Sequence, residues 1–202
     1  MIQKVIQVVF LGLFILLFFT GKIQIWGIIL LTGIIASLYF GRVYCGWICP
    51  INTAMAPVTV FKKRMGFDKQ KIPAILKTNA LRYMMLALFA ATFMYSVRSG
   101  QRLPVLPVVF LAGVIITVFF PERLWHRYLC PYGTLLSIPA RFSKKGMHID
   151  HSRCNQCSLC ERVCPSEAIS KKNSKYEIDH KECLICLQCK EVCKKSAISY
   201  GK

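Results

Sequence analysis

RVYCGWICP, residues 42–50, returns as RLWHRYLCP at residues 123–131. Both stretches begin with arginine, carry an aromatic residue two places on (Tyr44, Trp125) and end on Cys-Pro. Cys45 stands four residues before Cys49, and His126 stands four before Cys130. The match continues at a constant shift of 81 residues, where Thr53 meets Thr134 and Phe61 meets Phe142.

Apolar runs lead into each motif. Val5–Thr20 and Trp26–Phe40 precede the first, and Leu81–Val97 and Leu103–Phe120 precede the second. Each approaches the ~20 residues a bilayer-spanning helix needs, and Ile2, Ile23 and Tyr44 extend the shorter ones. Thr20-Gly21-Lys22 and Arg98-Ser99-Gly100-Gln101-Arg102 are turns rich in breakers, so the runs pair into hairpins. Pro104 and Pro107 fall in the first turns of the fourth helix, where a missing N–H costs least. The expected first domain, residues 1–142, is therefore an all-α membrane four-helix domain of two repeated helical hairpins. It is a parallel repeat about an axis along the membrane normal.

Charge orients this domain. The connection from Arg42 to Arg82 carries eight Lys and Arg, against three in the two hairpin turns (Lys22, Arg98, Arg102). The positive-inside rule puts that connection and both termini in the cytoplasm, and predicts a multi-pass protein of the cell inner membrane. Residues 51–80, with FKKRMGF, Pro57 and Pro73, read as an amphipathic stretch on the cytoplasmic face or as a plain loop. The first run lacks a clear small-residue cleavage site, and a second run follows at once, so it reads as a retained span. The net charge of +18 forms no basic groove interleaved with aromatics. Only Asp68 and Glu122 are acidic before Asp150, and the basic residues gather beside the apolar runs. That pattern argues against nucleic acid and for basic loops at a lipid bilayer.

Residues i and i+4 of a helix share a face. Cys45 then stands with Cys49, and His126 with Cys130. Repeat symmetry brings the two pairs together near the cytoplasmic boundary as a metal site of composition Cys3His. A disulfide within the first pair is disfavoured, because helical spacing separates the Cβ atoms by about 5–6 Å where a disulfide needs ~3.5–4.5 Å. Three readings stay open: cysteines packed as small hydrophobes, a closed zinc set, or a third iron–sulfur cluster. The repetition of the pairs favours the last.

Residues 143–202 are polar and hold eight of the eleven cysteines. CNQCSLCERVCP places Cys154, Cys157, Cys160 and Cys164 as C-x2-C-x2-C-x3-C-P, and CLICLQCKEVCK spaces Cys183, Cys186, Cys189 and Cys193 alike. This is the run of a bacterial ferredoxin with two [4Fe–4S] clusters, in which the fourth cysteine of each motif reaches the other cluster. One cluster is assigned Cys154, Cys157, Cys160 and Cys193, the other Cys183, Cys186, Cys189 and Cys164. The expected second domain, residues 143–202, is a small α+β ferredoxin domain. Pro165 follows the usual pattern, whereas Lys194 stands where proline is common. Zinc seldom uses three cysteines at this spacing, and a reducing compartment disfavours disulfides. His148, His151 and His180, two of them in a repeated Asp-His, read as turn or cap residues. The chain has no Gly-rich nucleotide fingerprint and no Ser-His-Asp set. The tail is too short for a flavin or NAD domain, so hydride chemistry belongs to a partner.

Together, GRVYCGWICP, HRYLCPYG and the tail resemble the membrane polyferredoxins of the NapH/NosR type, from Arg42 onward. The resemblance implies four membrane helices with cytoplasmic Cys-Pro motifs and two cytoplasmic cubanes. It also implies electron exchange between the quinone pool or a reduced carrier and an extracytoplasmic partner, often one bearing covalent FMN. The family's second motif usually has cysteine at the position of His126, and its larger members carry an FMN-binding domain that this chain lacks. Imidazole in place of thiolate removes negative charge and raises a cluster's potential. The boundary centre is thus expected above the tail clusters, with favourable flow from tail to membrane.

The expected role is an iron–sulfur electron-transfer subunit of a respiratory oxidoreductase complex, passing electrons on to quinone, a membrane electron carrier or another subunit. Arg42, Trp47, Arg123 and Trp125 read as contacts of a cluster or quinone, or as interfacial anchors. The alternative is an assembly or metal-reducing factor for respiratory enzyme maturation. Met84, Met85 and Met94 read as packing within the third helix rather than as a metal-handling face. A redox sensor is a weaker reading, as nothing resembles an output domain.

Overall fold

The computed structural model describes residues 2–67, 72–99 and 104–201. The expected turn at residues 100–102 and the start of the fourth run at Leu103 lie outside them. The chain is mostly helical up to Ala140 and then forms a small region of short strands and helices. The helical part runs α1 (Ile2–Phe19), α2 (Ile25–Phe40), α3 (Pro50–Arg64), α4 (Asn79–Ser99), α5 (Val105–Phe119), α6 (Glu122–Leu124) and α7 (Pro131–Ala140). Among the described helices, α1 is the one both long and apolar enough to cross a bilayer; α2 and α5 are apolar but shorter. The stretch after the first motif is helical in α3, with Pro57 inside it, and ends in a 3-10 turn at Ala74–Leu76.

Packing follows the repeat. The helix after each motif lies against the second helix of the other hairpin: α3 packs on α5 and α7 packs on α2. Likewise α1 packs on α3 and α4 on α7. This exchange draws the two Cys-Pro motifs together. Lys62 of α3 strengthens it by donating to the carbonyls of Thr117 (3.0 Å) and Phe120 (2.9 Å) at the end of α5, where a cation meets the negative end of the helix dipole. A shared core of Phe14, Trp26, Tyr44, Ile51, Met55, Trp125 and Leu136 fills the centre. Met84 and Met94 depart from their expected packing role and are exposed on α4. The run of apolar residues there continues all round the helix, so pattern alone could not say which side faces inward.

The tail holds two antiparallel strand pairs: β1 (Gly146–Ile149) with β4 (Ile198–Gly201), and β2 (Ile169–Lys172) with β3 (Lys175–Ile178). The four-residue helices α8 (Leu159–Arg162) and α9 (Gln188–Glu191) carry the third cysteine of each motif. Asp150 accepts the Ser152 N–H at 2.9 Å and Asp179 the Lys181 N–H at 3.2 Å, so the repeated Asp-His opens a local turn in each unit. His148 and His180 meet edge to face, 4.9 Å between ring centroids.

Candidate iron–sulfur sites

Each Cys-Pro motif is built from a wide turn. Residues Tyr44–Ile48 and Trp125–Leu129 form π-helical turns, not the α-turns that i, i+4 spacing predicts. The Cys49 N–H reaches back to the Tyr44 carbonyl (2.9 Å) and the Cys130 N–H to that of Trp125 (2.8 Å). Proline explains the exit: a residue before proline is pushed out of the helical region, and Cys49 and Cys130 have ψ of 117° and 111°. Pro50 and Pro131 then start α3 and α7 at the position where proline costs nothing. Both cysteines become the N-caps of these helices, and Cys130 Sγ accepts the Gly133 N–H at 3.3 Å. Helix N-termini favour negative sulfur.

A proline also leaves a carbonyl without its usual donor. Pro50 has no N–H for the Gly46 carbonyl, which instead accepts from the side chains of Gln3 (3.0 Å) and Gln7 (2.8 Å) on α1. Two amides in a helix whose other residues, Lys4 apart, are apolar were the signal of this contact, and sequence reasoning passed over them.

Cys45, Cys49, His126 and Cys130 are all buried, between 5% and 6% exposed. The three thiols lie within electrostatic reach of one another: burial and then Cys45 raise Cys130 to about 12, and burial, Cys45 and Cys130 raise Cys49 further. Burial and then the Arg42 charge depress His126 to about 3, so its imidazole is neutral at physiological pH. Its Nε2 is buried without a hydrogen-bond partner. A neutral ring with an idle buried nitrogen has the chemistry of a metal or cluster ligand. Among the described residues, no three Cys, His, Asp or Glu converge tightly enough to hold one ion.

The tail cysteines line two cavities. Cys164, Cys183, Cys186 and Cys189 border one, and Cys154, Cys157, Cys160 and Cys193 the other. Their loops repeat a strained backbone. Gln156, Ser158 and Glu167 have φ of 58°, 61° and 51°, and Ile185, Leu187 and Ser196, 29 residues on, have 53°, 62° and 49°. Left-handed residues of this kind cost about 1–3 kcal/mol each and turn backbone N–H groups inward, as iron–sulfur nests do. The Ala168 and Ala197 N–H groups donate to Cys164 and Cys193 Sγ at 3.3 and 3.4 Å. The turn after Cys193 thus keeps the form of the one after Cys164 although Lys194 replaces proline. Burial lifts the Cys183 and Cys189 thiols to about 11 and 12.

The first motif docks on one of these loops. A Cβ on Gly46 would lie 2.3 Å from the Leu184 carbonyl oxygen, so only glycine lets the two backbones meet. The Trp47 indole N–H donates to the Ile185 carbonyl at 3.0 Å, and Gln3 also donates to that of Cys186 at 3.3 Å. At the second motif, Arg127 donates to the carbonyls of Ser166 (3.3 Å) and Glu167 (2.9 Å). Sequence reasoning missed a further element here. Glu182 lies buried between Arg42, at 3.5 Å, and Arg82. Burial alone would raise its carboxyl, but the Arg82 hydrogen bond and both charges outweigh that and hold it low. Arg82 also donates to Thr134 and Ser137 of α7.

Comparison with known families points to iron–sulfur chemistry. A family described as a 4Fe-4S binding domain matches residues 23–68 and again 103–149, and a 4Fe-4S dicluster domain matches residues 153–198. Together with the cysteine loops they define an iron–sulfur, ferredoxin-type electron-transfer protein. The chain is similar to an uncharacterised protein of Methanocaldococcus jannaschii, 34% identical over 71% of this chain and 60% of that protein. It is also similar to the methylamine utilization ferredoxin-type protein MauN of Methylobacillus flagellatus (27% identical; 68% of this chain, 54% of that one). A third relative is the regulatory protein NosR of Pseudomonas aeruginosa (27% identical; 65% of this chain, 21% of that one). The chain thus carries 4Fe-4S binding and dicluster domain sequences, and its similarity to NosR accords with the resemblance carried by its Cys-Pro motifs and tail. It spans about 60% or less of the length of these relatives. No solved structure matches it.

Proposed function

We propose that the chain is a multi-pass membrane subunit that carries electrons between two tail clusters and a third centre at the membrane boundary. In this reading residues 1–142 are the four-helix membrane domain, with α1, α2, α4 and α5 as its spans, and residues 143–202 are the ferredoxin domain, on the cytoplasmic side with both termini. Cys183, Cys186, Cys189 and Cys164 hold one [4Fe–4S] cluster, and Cys154, Cys157, Cys160 and Cys193 the other. Cys45, Cys49, His126 and Cys130 hold the third. Bound clusters supply one-electron chemistry; the protein holds them, excludes water and sets their potentials through ligands, hydrogen bonds and burial.

The observation that carries this reading is the direct backbone contact between Gly46, next to Cys45, and the Leu184–Cys186 loop. It gives the boundary donors and one tail group a common wall. The membrane reading is supported by exposed apolar side chains on all four helices, among them Val8, Phe19 (80% exposed), Ile28, Leu88 and Val108, an exterior that water would not tolerate.

A quinone is the partner the surroundings favour over an FMN-bearing subunit. A cavity of about 360 Å3 between α4 and α5 is lined by Phe89, Val105, Val109, Ala112, Trp125 and Pro131. It is apolar, within the usual size of a ligand site, and its Trp125 has a buried indole N–H without a partner.

Iron and acid-labile sulfide per purified chain test the reading. About twelve of each are expected for three cubanes; about eight, with no further centre on reduction, would leave the boundary donors without a cluster.

A further inference from the structure

Arg42 is 1% exposed, which is unusual for a charged side chain. Its Nη1 donates to the carbonyls of Lys181 (3.3 Å) and Glu182 (3.4 Å), the two residues leading into Cys183, and faces the Glu182 carboxylate at 3.5 Å. Its Nη2 lies 3.9 Å from Cys45 Sγ. One guanidinium thus touches a donor of the boundary set and the backbone that presents the tail group Cys164, Cys183, Cys186 and Cys189. The space it occupies is kept open by Gly133, where a Cβ would come within 2.5 Å of Nη2. Glu182 is shared with Arg82, so two cations face one anion, and the cluster of charges keeps a net positive sign in a wall closed to water.

We propose that Arg42 is a positioning residue that couples the boundary centre to the adjacent tail cluster, its fixed charge raising the reduction potential of both. This rests on reading the two donor sets as iron–sulfur centres. Reduction adds an electron, and a cation in a low-dielectric wall stabilises the added charge far more than one in water. The tail group of Cys154, Cys157, Cys160 and Cys193 stands apart: Cys157 is exposed, and none of the other three is buried. Solvent damps the effect of Arg42 there.

Redox titration of the full chain, followed by electron paramagnetic resonance, tests the coupling. Cys154→Ser and Cys186→Ser variants assign the two tail signals. In Arg42→Gln, the boundary centre and the adjacent tail cluster become harder to reduce. The oxidised-to-reduced ratio at a fixed potential rises about tenfold, equivalent to ~59 mV for one electron. The exposed cluster moves by less than about a third of that. Arg42→Lys, which keeps the charge, restores most of both shifts. Gly133→Ala pushes Nη2 aside with no change of charge and shifts the boundary centre the same way by a smaller amount; it decides the matter if Arg42→Gln loses iron. Unchanged potentials at full iron content, or an equal shift of every centre, would overturn the proposal. If the wild-type chain carries only the tail clusters, the third-centre reading fails instead, and the coupling is judged on the gap between the two tail potentials.

Discussion

The two Cys-Pro motifs share a backbone and differ in what leans on them. Tyr44–Ile48 and Trp125–Leu129 make the same π-turn, and Cys49 and Cys130 leave it with the same extended backbone to stand at the N-caps of the helices that follow. At the first motif Arg42 is enclosed with Glu182, and Gly46 meets the backbone of the tail. At the second, the equivalent Arg123 is 40% exposed and pairs with Glu167 at 3.7 Å across a wet surface. Duplication kept the frame that presents two donors and divided the docking of the tail between a buried charge lock and an open polar clasp. The lesson is that backbone geometry decides where the donors stand, while their surroundings decide what each contact is worth.

Breaking the lock tests that difference most severely. In Glu182→Ala two arginines remain buried with their shared anion gone. Removing one partner of a buried ion pair costs about 3–5 kcal/mol, because the remaining charge is left uncompensated. Chemical denaturation of the detergent-solubilised chain is expected to show a loss of that size, with the tail released from the helical part and easily cut by protease between Ala140 and Gly146. A loss below ~1 kcal/mol would mean that the triad is not closed to water.

Much of this site was legible in the sequence because it rests on local spacing. The C-x2-C-x2-C-x3-C runs and the shift of 81 residues propose the donors and their pairing, and the tail cavities are lined by cysteines from both motifs. The π-turn was not legible. It differs from an α-turn by one residue of hydrogen-bond register, to which apolar periodicity is blind, although Cys-Pro signals a forced exit from the helix. The charge lock was not legible either, since Arg42, Arg82 and Glu182 come from three distant segments and only folding brings them together. Gln3 and Gln7 were visible as amides in an apolar helix, but the carbonyl they serve is 39 or more residues away.

The close backbone approach at the first motif can be probed without touching a charge or a donor. Gly46→Ala places a Cβ against the Leu184 carbonyl oxygen, a backbone atom that cannot swing aside. Overpacking of this kind costs about 1–3 kcal/mol. The expected signature is faster hydrogen exchange at residues 184–186, with exchange around Ser166 and Glu167, on the second motif's side, unchanged. Equal loosening of both loops would show that the two motifs dock as one unit rather than dividing the task.

The smallest effect belongs to the open clasp. Arg123→Ala removes the ion pair with Glu167, whose side chain is 27% exposed. A pair so wet gains little from its mutual attraction, and its arginine must give up rotamer freedom to form it. Arg127 continues to hold the carbonyls of Ser166 and Glu167. The expected cost is below ~1 kcal/mol and fades in high salt, as surface charge effects do. The equivalent positions of the repeat, Arg42 and Arg123, would then differ several-fold in what their partners contribute. That ratio reflects burial together with the sharing of Glu182 by two arginines, since both Arg42 and Arg123 stand two residues before the aromatic that opens each turn. Denaturation of Arg123→Ala at low and high salt, set beside Glu182→Ala, measures it directly; similar losses in the two variants would make the second motif as enclosed as the first.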